Sequence, residues 1–170
     1  MLSLFGRWRS ALAAVVAWAV SVGAAAVLYD GSPAHPGPDA LWRLAERTGT
    51  TFFGTSAAYI AACMKAGIRP REGRDLSALR SVGSTGSPLS PEGFAWVYDE
   101  VGADTWLFST SGGTDLCTAF VGGVATLPVY RGELQARGLG KRVQHAFQRH
   151  VINRRMQKRS LHTAHIHTRT

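Results

Sequence analysis

The chain has 170 residues, of which 45% are hydrophobic and 18% charged, and this composition is ordinary for one globular domain. Its formal net charge is +8, but eight of the 19 Lys and Arg residues lie in 141–170, a segment without Asp or Glu. Residues 1–140 therefore balance 11 basic against 11 acidic residues, and this body carries no charge signal for nucleic acid or another polyanion.

The N-terminal segment has two interpretations. Residues 11–28 form an uncharged run that follows two arginines, as in a signal peptide or a membrane span. The run is rich in Ala and is interrupted by Gly23, which favours a helix over 10–21, a turn at Gly23 and a buried strand over 24–30. We therefore expect this segment to belong to a globular domain and not to cross a membrane.

The rest of the body alternates between predicted helices and strands. Residues suited to N-caps precede the helices, and glycines follow the first two. In chain order, the sequence predicts a Pro- and Gly-rich loop over 30–39, a helix capped by Asp39 and ended by Gly49, a strand at 50–55, a helix capped by Ser56 and ended by Gly67, a helical turn at 75–80, a helix opened by Ser90 and Pro91, and strands at 105–110 and 127–135.

Two of these helices have a clear apolar face. The first is predicted to bury Leu41, Leu44 and Ala45. The second carries a stripe that consists of Tyr59, Ile60, Cys63 and Met64. Both faces are expected to contribute to the core.

The alternation predicts an α/β fold with a largely parallel sheet over 22–135. Ligands of such sheets bind in loops at the carboxyl ends of strands. Three loops have that position: "YDGSP" at 29–33, "GSTGSP" at 83–88 and "STSGGTD" at 109–115. The last contains adjacent glycines, several hydroxyls and Asp115, a potential magnesium ligand, although the same residues are typical of an ordinary turn.

Several familiar catalytic motifs are absent from the sequence. It contains no GxxxxGK[ST] phosphate loop, no GxGxxG after a strand and no GxSxG nucleophile elbow. His35 is the only histidine before residue 141, and its Pro-rich surroundings disfavour a Ser–His–Asp triad. Cys63 and Cys117 form no CxxC pair, so we expect reduced thiols of a cytoplasmic protein rather than a disulfide or zinc site.

Five stretches in a fixed order resemble one enzyme family. The stretches are "VLYDGSP", "FFGTSAAYIAACMKAG", "DLSALRSVGSTGSPLSPEGFAWVY", "STSGGTD" and "PVYRGELQARGLG". They resemble the acetoacetyl-CoA synthetases, or acetoacetate–CoA ligases, of the adenylate-forming acyl-CoA synthetase superfamily. The resemblance is strongest over 27–140, extends to 10–26 and stops at Gly140. It implies that 1–140 is part of a large AMP-dependent ligase domain with a mostly parallel sheet flanked by helices.

The resemblance also implies a reaction and its ligands. In this superfamily a carboxylate attacks the α-phosphate of ATP and releases pyrophosphate, after which the thiol of CoA displaces AMP. The implied cofactors are ATP or AMP, Mg²⁺ and CoA, and the implied substrate is acetoacetate. No specific nucleic-acid partner and no membrane are implied.

The resemblance assigns roles to individual residues. "STGSP" matches the segment against the adenine, and "SGGTD" matches the family's aromatic-Gly-x-Thr-acid motif. Most relatives have an aromatic residue and Glu where this chain has Ser111 and Asp115. The implied nucleotide contacts are Gly86, Ser87, Pro88, Ser111, Gly112, Gly113, Thr114 and Asp115. Of these, Thr114 would bond the α-phosphate and Asp115 would help to hold Mg²⁺. Gly54 and Thr55 would border the acyl group.

Other parts of the family pattern have no counterpart here. The upstream phosphate loop, the aspartate that holds the ribose, the hinge and the C-terminal domain with its catalytic lysine are missing from the sequence, and Lys141 and Lys158 lie in no matching motif. The sequence therefore predicts no catalytic residue, and we expect a fragment that is inactive alone.

The tail, residues 141–170, is expected to be disordered or loosely helical. Its Arg- and His-rich, acid-free composition is what out-of-frame translation of a GC-rich gene produces, in which case its histidines have no role. Alternatively, Val143, Phe147 and Val151 are spaced as in a basic amphipathic helix. A second class of function therefore stays open, a small membrane-tethered or polyanion-binding protein that uses 10–28 or the tail.

Overall fold

The computed structural model describes residues 19–113 and 118–138. The predictions for 10–18, 141–170, Thr114, Asp115 and Cys117 lie outside these residues. None of the described helices is long and apolar enough to cross a membrane. The elements are α1 (Ala40–Thr48), β1 (Phe52–Ser56), α2 (Ala57–Lys65), β2 (Ser81–Thr85), α3 (Pro91–Trp96), which continues as a π-helical turn (Val97–Val101), β3 (Trp106–Ser109), β4 (Ser111–Gly113), β5 (Thr118–Gly122) and β6 (Ala136–Arg137).

Strands β1, β2 and β3 form a parallel sheet in that order. The connection from β1 to β2 contains α2, and that from β2 to β3 contains α3. Such helical crossovers are what parallel neighbours require. The predicted α/β architecture with a parallel sheet flanked by helices is thus confirmed.

The core lies between one face of this sheet and the helices. Phe53, Val82 and Leu107 are paired neighbours on that face, and each is 8% exposed or less. The ring of Trp42 stacks on Phe53 with 4.4 Å between centroids. The apolar face predicted for α1 is confirmed at Ala45, which is buried, and at Leu41, which is half-buried against the core, but the prediction missed the fully buried Trp42.

The predicted serine caps of two helices are confirmed. The Ser56 hydroxyl accepts a hydrogen bond from the Tyr59 N–H at 3.1 Å, and the Ser90 hydroxyl accepts one from the Gly93 N–H at 3.1 Å. Pro91 opens α3, as expected for a residue with no N–H to satisfy. These hydroxyls satisfy helix N–H groups that have no partner within the helix.

The predicted cap at Asp39 is wrong. Asp39 precedes α1, but its side chain makes no capping hydrogen bond. Its carboxylate instead forms an ion pair with Arg43 at 2.7 Å and a second with Arg74. Charge-assisted bonds to two guanidinium groups are stronger than a bond to a neutral helix N–H. The far end of α1 follows the prediction, since Gly49 adopts a left-handed conformation with φ of 59°.

The strand predicted over 24–30 is also wrong. These residues are extended and exposed, and no strand of the described sheets pairs with them. Residues 19–21 end a helix and Gly23 turns the chain with φ of 71°, as predicted, so the error concerns only the pairing. A strand forms only where another strand supplies hydrogen-bonding partners.

The strand predicted over 127–135 is a loop. Pro128 has no N–H to donate, and Gly132 has a φ of 74°, which interrupts an extended run. The buried side-chain amide of Gln135 accepts a hydrogen bond from the Val124 N–H at 3.0 Å and donates one to the Leu127 carbonyl at 2.8 Å. Bonds from a side chain thus replace the ladder of a strand.

A second sheet, which the sequence did not predict, follows the parallel one. Strands β4, β5 and β6 pair antiparallel in that order, with Val121 opposite Arg137. The parallel sheet predicted to extend to residue 135 therefore ends at β3. Because β4 and β6 are three and two residues long, neither contains the alternation by which a strand is recognised.

The loop before α1 is anchored to α2. The Tyr59 hydroxyl donates to the Pro38 carbonyl at 3.0 Å, and the buried Cys63 thiol lies 3.8 Å from the same oxygen. Burial raises the pKa of Tyr59 well above its ordinary value of 10.0, and the neighbouring Cys63 acts in the same direction. The folded state therefore favours the neutral phenol.

This shift predicts a loss of stability in alkali. The pKa of Tyr59 is higher in the folded chain than in the unfolded chain. Its contribution to the free energy of unfolding is therefore complete below the unfolded pKa of about 10 and declines as the pH rises above that value. We expect the free energy of unfolding to fall more steeply between about pH 9 and 11 for the natural chain than for Tyr59→Phe. Urea titrations at several pH values measure this, and equal slopes would contradict the assignment to Tyr59.

Candidate functional site

The register of the parallel sheet aligns the carboxyl ends of its three strands. Thr55 pairs with Ser84, which pairs with Ser109, and Ser56 pairs with Thr85. The loops that leave these strands therefore start side by side at one edge, where α/β sheets bind ligands. Among the predicted site residues, Gly54 and Thr55 lie in the last part of β1, Gly86, Ser87 and Pro88 directly follow β2, and Ser111, Gly112 and Gly113 form β4, which begins two residues after β3.

Gly86 makes the turn that leaves β2. Its φ is 87°, a conformation that side chains with a Cβ rarely adopt. A Cβ at this position would have Ser56 Cβ as its nearest neighbour, at 3.9 Å, so the space beside it is open. Ser87 and Pro88, which follow, are exposed. A flat ligand group can therefore approach this backbone closely.

The loop after β3 is fastened to β2. The Thr110 N–H donates to the Ser84 carbonyl at 2.8 Å, and the Thr85 hydroxyl donates to the Thr110 carbonyl at 3.2 Å. Ser111 and Gly112 follow as exposed residues of β4, and the backbone of Gly113 pairs with β5. The start of "STSGGTD" is thereby held beside Gly86, whereas Thr114 and Asp115 lie outside the described residues.

The sequence analysis assigned no individual role to Ser84 or Thr85, the hydroxyl residues at the end of β2. Ser84 is 1% exposed, and its hydroxyl has no hydrogen-bond partner among the described residues. A buried hydroxyl without a partner is costly, so a water molecule or a ligand is expected to supply one. The signal was present, because each strand run ends in two hydroxyl residues: Thr55 and Ser56, Ser84 and Thr85, and Ser109 and Thr110.

The electrostatic character of this edge comes from the backbone. Segments 54–56, 83–88 and 108–113 contain no charged residue. Helix α2 begins directly after β1, so its N-terminal end places partial positive charge near the edge. Hydroxyls, N–H groups and this helix end can accept a phosphate. In 19–113 and 118–138, no three His, Cys, Asp or Glu side chains lie together as metal ligands would.

The third predicted loop, "YDGSP" at 29–33, does not follow a strand of the parallel sheet, as the sequence predicted it would. Residues 24–30 pair with no described strand, so no carboxyl end of a sheet strand precedes the loop. The Tyr29 hydroxyl instead donates to the His35 carbonyl at 2.8 Å and closes the loop on itself. Its predicted position is therefore wrong.

A cavity of about 310 Å³ lies along α3 and the π-helical turn. It contains none of the predicted site residues. The lining includes three carboxylates, Glu92, Asp99 and Glu100, with Arg131 as the basic residue. Carboxylates repel phosphate, so this cavity does not suit a nucleotide.

Comparison with known proteins places the chain in a family. A sequence profile described as "AMP-binding enzyme" matches residues 8–146. An acetoacetyl-CoA synthetase of Gallus gallus is 44% identical over 126 residues, and an acetoacetyl-coenzyme A synthetase of Rhizobium meliloti is 50% identical over 121. These matches cover 74% and 71% of this chain but only 19% of each relative. The chain thus spans about a fifth of the length of these relatives.

Solved structures agree with the sequence matches. The acetoacetyl-CoA synthetase of Streptomyces lividans superposes with a TM-score of 0.63 at 62% identity, over 67% of this chain and 18% of that one. An anthranilate CoA ligase in complex with anthranoyl-AMP superposes with a TM-score of 0.56 at 18% identity, over 66% of this chain and 21% of that one, which supports the fold alone. The resemblance drawn from the sequence motifs is confirmed: this chain belongs to the AMP-binding enzyme family, and its relatives of 42–50% identity are acetoacetyl-CoA synthetases.

Proposed function

We propose that the carboxyl edge of the parallel sheet is part of the nucleotide and acyl site of an acetoacetate–CoA ligase. One observation carries the proposal: the strand register brings Gly54, the turn at Gly86 and the start of β4 to the same edge. In this proposal Gly86, Ser87 and Pro88 contact the adenine, and Ser111, Gly112, Gly113, Thr114 and Asp115 surround the α-phosphate. Gly54 and Thr55 border the acyl group.

These residues suit ligands rather than proton transfer. The open backbone at Gly86 accepts a flat base, since a Cβ there would have only one neighbour within 4 Å. In this proposal the loop that begins at Thr110, and not the buried Ser84, meets the negative charge that develops on phosphorus during adenylation. Hydrogen-bond donors fixed in advance are the main means of stabilising such charge. We therefore assign this chain binding and orienting roles and no general acid or base.

Mg²⁺ is the proposed metal cofactor of this site. Asp115 is the proposed ligand, and a carboxylate oxygen suits Mg²⁺. Segments 83–88 and 108–113 contain no Lys or Arg that could compensate the charge of a phosphate. When bound, the metal would neutralise that charge. ATP, acetoacetate and CoA are the proposed small-molecule partners, in the cytoplasm, with 1–140 as the ligase part and 141–170 as a separate tail.

We expect this chain alone to make no acetoacetyl-CoA. Its sequence contains neither the upstream phosphate loop nor the C-terminal lysine domain that the family resemblance implies. Losing a single oriented donor commonly costs a factor of about 100 or more in rate, and here several are missing together. The assay supplies acetoacetate, ATP, Mg²⁺ and CoA to the purified chain. Activity that Asp115→Ala abolishes would contradict the expected inactivity.

Weak nucleotide binding is a separate expectation. We predict a Kd for ATP of about 1 mM or higher, measured by isothermal titration calorimetry. Gly86→Val should weaken binding at least about tenfold, because the valine side chain enters the open space and strains the turn. Gly73→Val is the matched control, since Gly73 also has a positive φ of 70° with nothing near it but lies outside the proposed site. Equal affinities of the two variants would contradict this site.

A further inference from the structure

Residues 24–30, "AAAVLYD", form an extended segment without a pairing partner. All seven are exposed, including Val27 at 47%, Leu28 at 57% and Tyr29 at 42%. Beyond one bond from the Ala24 N–H to the Ala19 carbonyl, their main-chain groups have no hydrogen-bond partner among the described residues. Three adjacent large apolar side chains and an unpaired backbone are the features of a strand that lacks its sheet.

The parallel sheet has an edge that can receive such a strand. Strands β1 and β3 are its two outer strands. At β3 the backbone of Gly123 already packs on the ring of Phe108. At β1 the space is open, since Phe52 is 52% exposed and Gly54 is exposed as well. Strand β1 therefore offers both an unpaired edge and a half-exposed aromatic ring.

The segment does not pair with the β1 of its own chain. The Tyr29 hydroxyl donates to the His35 carbonyl at 2.8 Å, which fixes the start of the loop. The Pro38 carbonyl at its end accepts the hydroxyl of Tyr59, and Asp39 is paired with Arg43 and Arg74. Because the segment stays unpaired in its own chain, we take a second copy of the chain as the molecule that receives it.

We propose that residues 24–30 of one chain add as a strand to the free edge of β1 in a second copy, and that the exchange is reciprocal. Added strands gain affinity from main-chain hydrogen bonds, and exchange of identical elements is a low-cost route to a symmetric dimer. Alternate residues of the segment, Val27 and Tyr29, would lie on the same face as Phe52 and cover its ring. The proposal concerns self-association and is independent of the proposed nucleotide site.

Sedimentation velocity of the full chain from about 1 to 100 µM tests the proposal, and a concentration-dependent dimer is expected. Val27→Pro and Leu28→Pro each remove one N–H, and since alternate N–H groups face the same side, one of the two must block pairing. That variant should raise the dissociation constant of the dimer at least about tenfold. Ala103→Pro is the control, because Ala103 is an exposed turn residue at a position that suits proline.

A second measurement keeps the test decisive if a proline variant fails to fold. An acetylated peptide with the sequence of residues 24–30, in excess, should dissociate the natural dimer, whereas a scrambled peptide should not. A chain that stays monomeric over the whole range would overturn the proposal. So would a dimer that neither proline substitution nor the peptide affects, as an association through residues 141–170 would produce.

Discussion

Replacing Trp42 with alanine should lower the free energy of unfolding by about 3–5 kcal/mol. The side chain is fully buried and stacks on Phe53 with 4.4 Å between ring centroids. Tyr59 and Trp96 also lie within 6.3 Å of it, measured between centroids. The substitution therefore opens a cavity where α1, α2, α3 and β1 meet. A loss of this size is a large fraction of the 5–15 kcal/mol that ordinarily stabilises a domain.

Two control variants separate burial from aromatic character. Trp42→Phe keeps a ring and removes an indole N–H that has no hydrogen-bond partner among the described residues, so its loss should be less than half that of Trp42→Ala. Phe52→Ala removes a ring that is 52% exposed, and should cost about 1 kcal/mol. Urea unfolding followed by circular dichroism gives all three values. A similar loss for Phe52→Ala and Trp42→Ala would show that the core is misplaced.

Gly123→Ala is the second substitution expected to have a large effect. A Cβ at Gly123 would lie 2.5 Å from Phe108 Cβ, 2.6 Å from Phe108 Cγ and 2.8 Å from Trp106 Cζ2. These atoms belong to the base of one side chain and to the ring of another, so they cannot move aside without shifting β3. We expect a loss of about 1–3 kcal/mol or more.

The neighbouring glycine supplies a matched control. A Cβ at Gly122 would meet Thr110 Oγ1 at 3.6 Å, an ordinary contact. Gly122→Ala should therefore change the free energy of unfolding by less than about 0.5 kcal/mol. The same urea titrations apply. Equal effects at the two positions would contradict the packing of this segment on Phe108.

Two capped helices and two strands that were predicted from local signals are present in the structure, whereas the central strand at Ser81–Thr85 was not named. Ser56 and Ser90 correctly predict helix starts because an N-cap bonds to an N–H only three residues later in the chain. The strand run at 50–55 and the run at 105–110 have the apolar and β-branched residues of a sheet. The order of these elements was sufficient to predict a parallel sheet and the edge at which its loops meet.

The errors arose where a partner distant in the chain decides the outcome. Residues 24–30 and 127–135 have strand composition, yet each lacks a neighbouring strand in the described fold. Asp39 is a residue type that often caps helices, but its carboxylate bonds to Arg74, which is 35 residues away in the chain. Local propensity contains no information about such partners, and tertiary contacts override it.

The candidate site was predictable to a similar extent. Gly86 and Ser87 followed from the motif resemblance and from the position of their loop after a strand. The pairs of hydroxyl residues at the strand ends were visible in the sequence, but only the register shows that Thr55, Ser84 and Ser109 lie side by side. A single strand does not reveal which residues of its neighbours face it.

The most direct test of the proposed site is amide chemical-shift mapping of the ¹⁵N-labelled full chain during titration with AMP. We expect the largest shifts at 54–56, 86–87 and 109–113, the three segments that leave the carboxyl edge of the parallel sheet, and little change in α1. The Gly86→Val variant should lose these shifts, and Gly73→Val should retain them. Shifts confined to 91–101, beside the acidic cavity, or to the basic residues 141–170, would contradict a nucleotide site at this edge.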